Sequence, residues 1–544
     1  MRYATGRNLL LLALLLGALL RVPGWYTADE KARWRLFEVD EEQHVAIAMH
    51  NFNNWGDSTA VIRNKFHDRS YNVRGYGTTV AAVLRTKYAL GSELPTFADV
   101  VMTGRQLSTF FALCLIGVVF ALGRLGGLSP PAAGVAALLM AACDVNATYS
   151  HYMLPASGYV LFCYLALLSG VRLVRNDSAW ALLGLAVGCG GALAFKFDVF
   201  PTVWGGILLL TLVIFGRGRG CSATGEAGRL PKLPAWYLPA ALVLLAGVFL
   251  VFTYDWSWEE IEYSFNRLRK ANRDVISHED HLRDNLITYP MGVLAGIGLP
   301  AFGLAVIGAV RLVRTRLADW RQPLAFRNLA VWYPAAFLLT EFGLRWYMDT
   351  TFIRRVNVFM PAVALLAAYV LQRRRVRPWL TALVIAWSFG LGVVGQSNHW
   401  FDPRIAMRDW ANEELPKPTK VGISASINIE GLKNWRYYLK LDWEYFITSE
   451  AFYRRYTKSM TTPFGVPPCE GGIYHGGPAD QCEDFQAMHN GTHPGVELVK
   501  EFRTTDIFPE RILYHHLFGY YETFLGDVRV FKRTAPPRAD RTTS

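Results

Sequence analysis

FEVDEEQHVAIAMH, Phe37 to His50, crowds Asp40, Glu41, Glu42 and His44 into one short stretch of a chain that is otherwise apolar. It follows a hydrophobic N-terminus, MRYATGRNLLLLALLLGALLRVPGW, in which Arg2 and Arg7 precede an apolar core. That order has the form of a secretory signal, but the many apolar runs downstream favour a retained first membrane helix. Either reading sends Phe37–His50 to the non-cytoplasmic side. Two interpretations of the acids stand open. QHVAIAMHNF reads as an amphipathic interfacial helix, so the acids can be N-terminal carboxylates favoured by the helix dipole on a solvated surface. Alternatively, one of them is a general base at the membrane surface, taking a proton from a hydroxyl or amine.

Working outward, the 544 residues are 52% hydrophobic and only 18% charged, below the roughly 25% charge of soluble domains. Apolar runs near the roughly 20 residues that cross a bilayer recur through the first three-quarters of the chain. The candidate spans are Asn8–Trp25, Leu107–Leu122, Ala132–Ala142, Gly158–Leu173, Ala179–Phe195, Val199–Phe215, Trp236–Phe252, Met291–Val310, Leu329–Leu344, Val356–Leu371 and Leu380–Val394. A polytopic α-helical membrane protein of about 11 transmembrane helices is expected. The net charge of +12 does not indicate a nucleic-acid partner, because much of the excess sits in short loops between apolar runs. Those loops, GRGRGCSATGEAGRLPK, RLVRTRLADWRQPLAFRN, QRRRVR and VRLVRND, define the cytoplasmic side by the positive-inside rule. The N-terminus is then inside and the tail after Val394 outside.

This topology leaves three long non-cytoplasmic segments: residues 26–105, residues 254–290, and the tail. Within the tail, FDPRIAMRDWANEEL has helical spacing, TKVGISAS reads as a strand, LDWEYFITSEAFYRRY as strand then helix, and LGDVRVFKR alternates as an exposed-face strand. The expected division is a membrane module over 1–395 and a soluble C-terminal α/β domain over 396–544.

Cations also lie where the orientation rule does not want them. Arg63, Lys65, Arg69 and Arg74 occupy the first outer loop, Lys196 ends a span in ALAFKFDVFP, and Arg345, Arg354 and Arg355 cluster in GLRWYMDTTFIRRVNVFMP. Single residues of this kind snorkel to lipid headgroups. Several together point to an anionic, phosphorylated lipid, which arginine binds through bidentate hydrogen bonds. The span interiors read as nearly free of acids and bases. In SHEDHL, His278 and His281 share a helical face with Glu279 nearby, but no third ligand is specified, so no metal is assigned and a divalent-metal requirement stays open. Of the seven cysteines, Cys469 and Cys482 share a polar region that admits a disulfide in an oxidising compartment. Asn146 and Asn490 head glycosylation triplets that would face outside. No P-loop, dinucleotide fingerprint or nucleophile elbow occurs, so an activated donor would be lipid-borne.

VDEEQHVAIAMHNFNNWGD, RQLSTFFALCLIGVVFALGRLGGLSPPAAGVAALLMAACDVNATYSHYML and LLGLAVGCGGALAFKFDVFP together resemble polyprenyl-phosphate-sugar-dependent glycosyltransferases of the GT-C class. The protein O-mannosyltransferases and the bacterial aminoarabinose transferases are the groups they look like. The tail, with AMRDWANEELPKPTKVGIS, DWEYFITSEAFYRRY and VELVKEF, is similar to the soluble domain of bacterial members. The resemblance implies an acidic pair at Asp40 and Glu41, with Asp40 the base that deprotonates the acceptor. It implies donor-phosphate contacts at Lys196 and at Arg354 or Arg355; Arg74, one of the outward cations, is a further donor-binding candidate. The acceptor would be a protein, lipid or glycan, and the setting a bacterial inner membrane with a periplasmic active site. One departure stands out. Many relatives carry a second acid where SHYMLPASGYVLF places Ala156; Asp144 is several residues too early, so either the acceptor is bound differently, or Asp198 or an acid of the 254–290 loop takes that part, or activity is lost. His44, Asp198 and His278 are therefore accessory candidates. The competing readings are a transporter or flippase of a lipid-linked sugar, and an inactive scaffold of the same fold.

Overall fold

The computed structural model describes residues 6–26, 40–53, 74–89, 94–176, 179–196, 235–253, 281–316, 356–373, 376–415, 419–424, 435–437, 443–450, 482–518 and 526–534. The expected spans Val199–Phe215 and Leu329–Leu344, and Cys469, lie outside these residues.

The bundle opens with α1 (Gly6–Arg21), α2 (Pro23–Tyr26), α3 (Asp40–Asn53), α4 (Arg74–Lys87) and α5 (Phe97–Leu125). It continues with α6 (Pro130–Ala141), α7 (Asp144–Ser150), α8 (Ala156–Asn176), α9 (Ala179–Phe195), α10 (Tyr237–Thr253), α11 (His281–Ile297) and α12 (Leu299–Arg316). A 3-10 turn at Asn357–Phe359 leads into α13 (Met360–Leu371), and α14 (Pro378–Trp400) follows. Among the described residues three helices are long and apolar enough to cross a membrane, or four if the bent pair α6–α7 counts as one span. Large apolar side chains also point outward on shorter apolar helices, among them Leu15 of α1 at 69% and Val243 and Val251 of α10 at 71% and 74% exposure, as lipid-facing surfaces require. Exposed Trp180, Trp236 and Trp379 stand at the starts of α9, α10 and α14, each just after an arginine-rich stretch. Amphipathic indoles at helix ends match a membrane-interface belt.

Two expected spans are not single rods. Ser129 caps α6, followed by two prolines at its first turn, and the helix stops at Ala141. It resumes after a 57° bend as α7. Met291–Val310 divides at Gly298, whose φ of +91° is strained for residues with a Cβ and easy for glycine. The Leu299 N–H that opens α12 is taken up by Glu510 Oε1 at 3.1 Å, a carboxylate against a helix N-terminus.

After α14 come α15 (Pro403–Glu414), β1 (Val421–Ile423), β2 (Trp435–Tyr437), β3 (Tyr445–Ser449), α16 (Cys482–His489), β4 (Val496–Phe502), α17 (Pro509–Phe518) and β5 (Val528–Arg533). The strands form one sheet in the order β2-β1-β3-β5-β4. β1 runs parallel to β2 and β3, whereas β5 is antiparallel to both β3 and β4. Met407 and Ala411 of α15 pack with Val421, Ile423, Ile447, Val528 and Val530. Met488 of α16 packs with Trp443, Phe446 and Phe531. Successive side chains of a strand point to opposite faces, so each helix covers one face. This corrects the reading of LGDVRVFKR as an exposed-face strand: β5 lies inside the sheet, with Val528, Val530 and Phe531 buried.

α17 docks the sheet against the bundle. Trp387 on α14 donates its indole N–H to Glu510 at 2.7 Å, and Asn398 exchanges two hydrogen bonds with the backbone of Thr505. On the same helix His515 meets Glu450 Oε1 at 2.7 Å and Asp506 Oδ2 at 3.4 Å. Burial pulls this imidazole down, but the hydrogen bonds and charges of Asp506 and Glu450 outweigh it and hold it up at about 9. A pKa raised on folding contributes stability that is complete below the ordinary value of about 6.5 and is lost as pH rises through 9. The sheet is therefore expected to melt at lower temperature at pH 10 than at pH 6, and His515→Gln to flatten that difference in a thermal melt.

Candidate functional site

α3 is not the solvated surface helix that one reading allowed. Val45, Ile47, Ala48 and Phe52 are buried, and the helix packs on α4 and α5. Glu41, in its first turn, is fully buried. It accepts Arg105 Nε at 3.1 Å on Oε1 and Arg105 Nη2 at 3.0 Å on Oε2. The Met153 N–H, from the turn after α7, adds a third bond to Oε1 at 2.7 Å. A bidentate carboxylate–guanidinium pair gives geometric specificity as well as energy. Here it fixes the start of α3 to α5 and to the 151–154 turn, with Asp40 as the adjoining first residue of the helix.

His44, one helical turn on, is 3% exposed and sits edge-on to Tyr76 at 5.8 Å between ring centroids. Tyr76 donates to the Gly104 carbonyl at 2.6 Å, lies 2.7 Å from Ser108 Oγ, and packs against Phe195 at 5.8 Å. Gly75 is what permits this approach, since a Cβ there would come within 2.6 Å of the Ala194 carbonyl oxygen. The start of α4, where Arg74 stands, thus lies against the end of α9, where Lys196 follows Phe195. Lys196 is half-buried, with Nζ 5.0 Å from the Tyr159 ring centroid, a cation–π geometry.

Of the predicted site residues, the structure brings together the helix start bearing Asp40 and Glu41, His44, the helix start bearing Arg74, and Lys196. Arg354, Arg355, Asp198 and His278 lie outside the described residues, although the backbone just after the arginine pair is anchored. Asn357 accepts from Asn146 Nδ2 at 3.2 Å, and the Val358 carbonyl accepts from Tyr164 at 2.8 Å. Among the described residues no group of three or more His, Cys, Asp or Glu side chains could hold a metal ion. Asn146 is buried and accepts from Arg21 at 2.8 Å, so that triplet offers no surface for a glycan.

Sequence reasoning missed Arg105, which belongs to the lock on Glu41 and had been taken for the edge of an outer loop. It also missed Arg21 and Arg511, and it weighed Asp144 only as an acid too early to replace the one absent at Ala156. The buried pairs Glu41–Arg105 and Asp144–Arg511 sit just beyond the expected spans, and Arg21, inside the first of them, is satisfied by the Gly17 and Ala141 carbonyls and by Asn146. The signal available was an ionisable residue in or against an apolar run, which is expensive there and is functional or paired by default.

No family model matches this chain, and no curated protein matches it in sequence. Solved structures do. The oligosaccharyltransferase of Archaeoglobus fulgidus in its apo form aligns over 97% of this chain and 88% of its own, with 11% identity and a TM-score of 0.51. The chain has the GT-C fold. ArnT from Cupriavidus metallidurans bound to undecaprenyl phosphate is also similar, over 75% of this chain and 82% of that one, with 14% identity and a TM-score of 0.46. In this GT-C fold the strands and helices of the tail are docked on the helical bundle through α17.

Proposed function

We propose that this chain is an integral membrane glycosyltransferase that moves a sugar from a polyprenyl-phosphate donor to an acceptor on the non-cytoplasmic face. The observation that carries this reading is the convergence of three helix ends: the start of α3 with Asp40, the start of α4 with Arg74, and the end of α9 with Lys196. These ends carry residues that the sequence marks as a candidate base and as candidate phosphate-binding cations, which supports the reading. The oligosaccharyltransferase fold and the motif resemblance support the same class of chemistry.

In this reading Asp40 removes the proton of the acceptor hydroxyl or amine. The acceptor lone pair forms the new bond to the anomeric carbon from the face opposite the donor phosphate. The bond between that carbon and the phosphate oxygen breaks, and its electron pair leaves with the polyprenyl phosphate, inverting the configuration. Lys196, Arg74 and the Arg354–Arg355 pair stabilise the departing negative charge, which removes the need for an acid on the leaving group. Glu41 is held by Arg105 and the Met153 N–H, and its role is to hold Asp40 in place. Asp144 does not supply the acid missing at Ala156, because its carboxylate is committed to Arg511 and Gln396.

The test is transfer in membranes supplied with radiolabelled lipid-linked sugar. Replacing Arg354 and Arg355 with alanine, or Lys196 with alanine, is expected to raise the KM for donor by roughly 10- to 100-fold, the value of one or two charged hydrogen bonds. Unchanged donor dependence would remove the phosphate site. Movement of donor across the bilayer without transfer would favour the flippase.

A further inference from the structure

Asp144 opens α7 at the outer layer of the bundle, and its carboxylate is wholly buried. It forms an ion pair with Arg511 of α17, from the C-terminal part of the chain, and accepts Gln396 Nε2 of α14 at 2.7 Å on Oδ1. Arg511 also donates through Nε to Asp506 at 2.8 Å. Space for the pair is left by Gly395, because a Cβ there would overlap both the Asp144 carboxylate and the Arg511 guanidinium. A bundle that needed only to be closed would fill this place with apolar side chains at no loss of stability.

What α7 does next gives the pair a purpose. Its second turn holds Thr148, which accepts from Gln396 at 3.0 Å, and its last residue, Ser150, offers its carbonyl to Thr109 at 3.1 Å. The turn that follows gives the Met153 N–H to Glu41 and the Leu154 carbonyl to Ser108. On its other side α7 presents Asn146 to Arg21 and to Asn357, two residues after Arg355. One seven-residue helix and the turn after it therefore touch the support of the candidate base and the Asn357 side chain just behind the candidate phosphate-binding arginines. Its N-terminal carboxylate is gripped by Arg511 of α17, in the C-terminal part of the chain.

We infer that Arg511 is a positioning residue for sugar transfer. Through Asp144 it sets the placement of α7 and the 151–154 turn, and hence the distance between Asp40 and the donor phosphate. The C-terminal sheet is then a working part of the active site and not a detachable module. This inference rests on the glycosyltransferase reading given above.

The experiment uses the full-length chain in detergent or nanodiscs, with the paired replacement Asp144→Asn and Arg511→Met, which removes both charges of the pair and leaves Asp506 with His515 as its partner. A second variant, Arg511→Lys, keeps the charge without the guanidinium fork. The paired variant is expected to melt near the wild-type temperature, to lose about 100-fold in kcat, as a misplacement of about 1 Å does, and to keep its KM for donor. Arg511→Lys is expected to recover part of kcat. Independently of activity, hydrogen exchange at the Met153 amide is expected to speed up in the paired variant while α8 and α9 stay protected. Wild-type transfer with an unchanged kcat in the paired variant, or unchanged exchange at Met153, overturns the coupling alone. Faster exchange at Met153 in a chain that transfers no lipid-linked sugar overturns the glycosyltransferase reading and leaves the mechanical link standing.

Discussion

Asp40→Asn is expected to lower the initial rate of sugar transfer by about 10²- to 10⁴-fold, the usual contribution of a positioned general base. Asparagine is as good a residue as aspartate at a helix start, so α3, which begins at this position, keeps its N-terminus and its packing. The substitution changes the charge and the basicity and little else. The loss should therefore fall on kcat, with the KM for the lipid donor near its wild-type value, because the proposed mechanism assigns the donor phosphate to cations on other elements. Initial rates with radiolabelled lipid-linked sugar measure both. Full activity in Asp40→Asn would take the base away from this residue and leave the convergence of helix ends without a catalyst.

Arg105→Met carries the largest expected effect on stability. Glu41 is fully buried, and its charge is matched by a guanidinium that is itself 1% exposed. Removing one member of such a pair costs about 3–5 kcal/mol, because the other is left as an uncompensated buried charge. The expected result is a large fall in melting temperature in detergent, with transfer lost alongside it. Combining Arg105→Met with Glu41→Leu should return most of the stability, since an apolar pair of similar volume replaces the ions at little cost. Activity should not return with it, because the Met153 N–H and the start of α3 lose the carboxylate that joins them. A single Arg105→Met variant as stable as the wild type would show that the pair is not what secures α3.

Much of the helical framework was legible in the sequence, and for a plain reason. In a bilayer each spanning segment must satisfy its own backbone, so a run of apolar residues is itself the instruction for a helix. Ala179–Phe195 was read from the sequence with the ends the structure gives it. The strands at Val421 and Tyr445 were legible by alternation and turn signals, which are also local. The bends were not. Whether Met291–Val310 runs straight depends on Gly298 taking up a positive φ against Trp387 and Glu510, and those partners arrive from far along the chain.

The site divides in the same way. The acidic stretch at Phe37–His50, the outward cations Lys196 and Arg74, and the sheet-forming segments of the tail are properties of short windows, and the sequence by itself determined them. What only the tertiary structure decided is which charges are spent on holding the fold. Glu41 and Arg105 are 64 residues apart, and Asp144 and Arg511 are 367 apart; no local pattern relates them. Burial in a low-dielectric bundle makes an unpaired charge too costly to keep, so folding had to find each one a partner. Glu41 thereby became the anchor of its helix, and His44 a packed ring. Asp144 became the partner through which α17 holds the bundle.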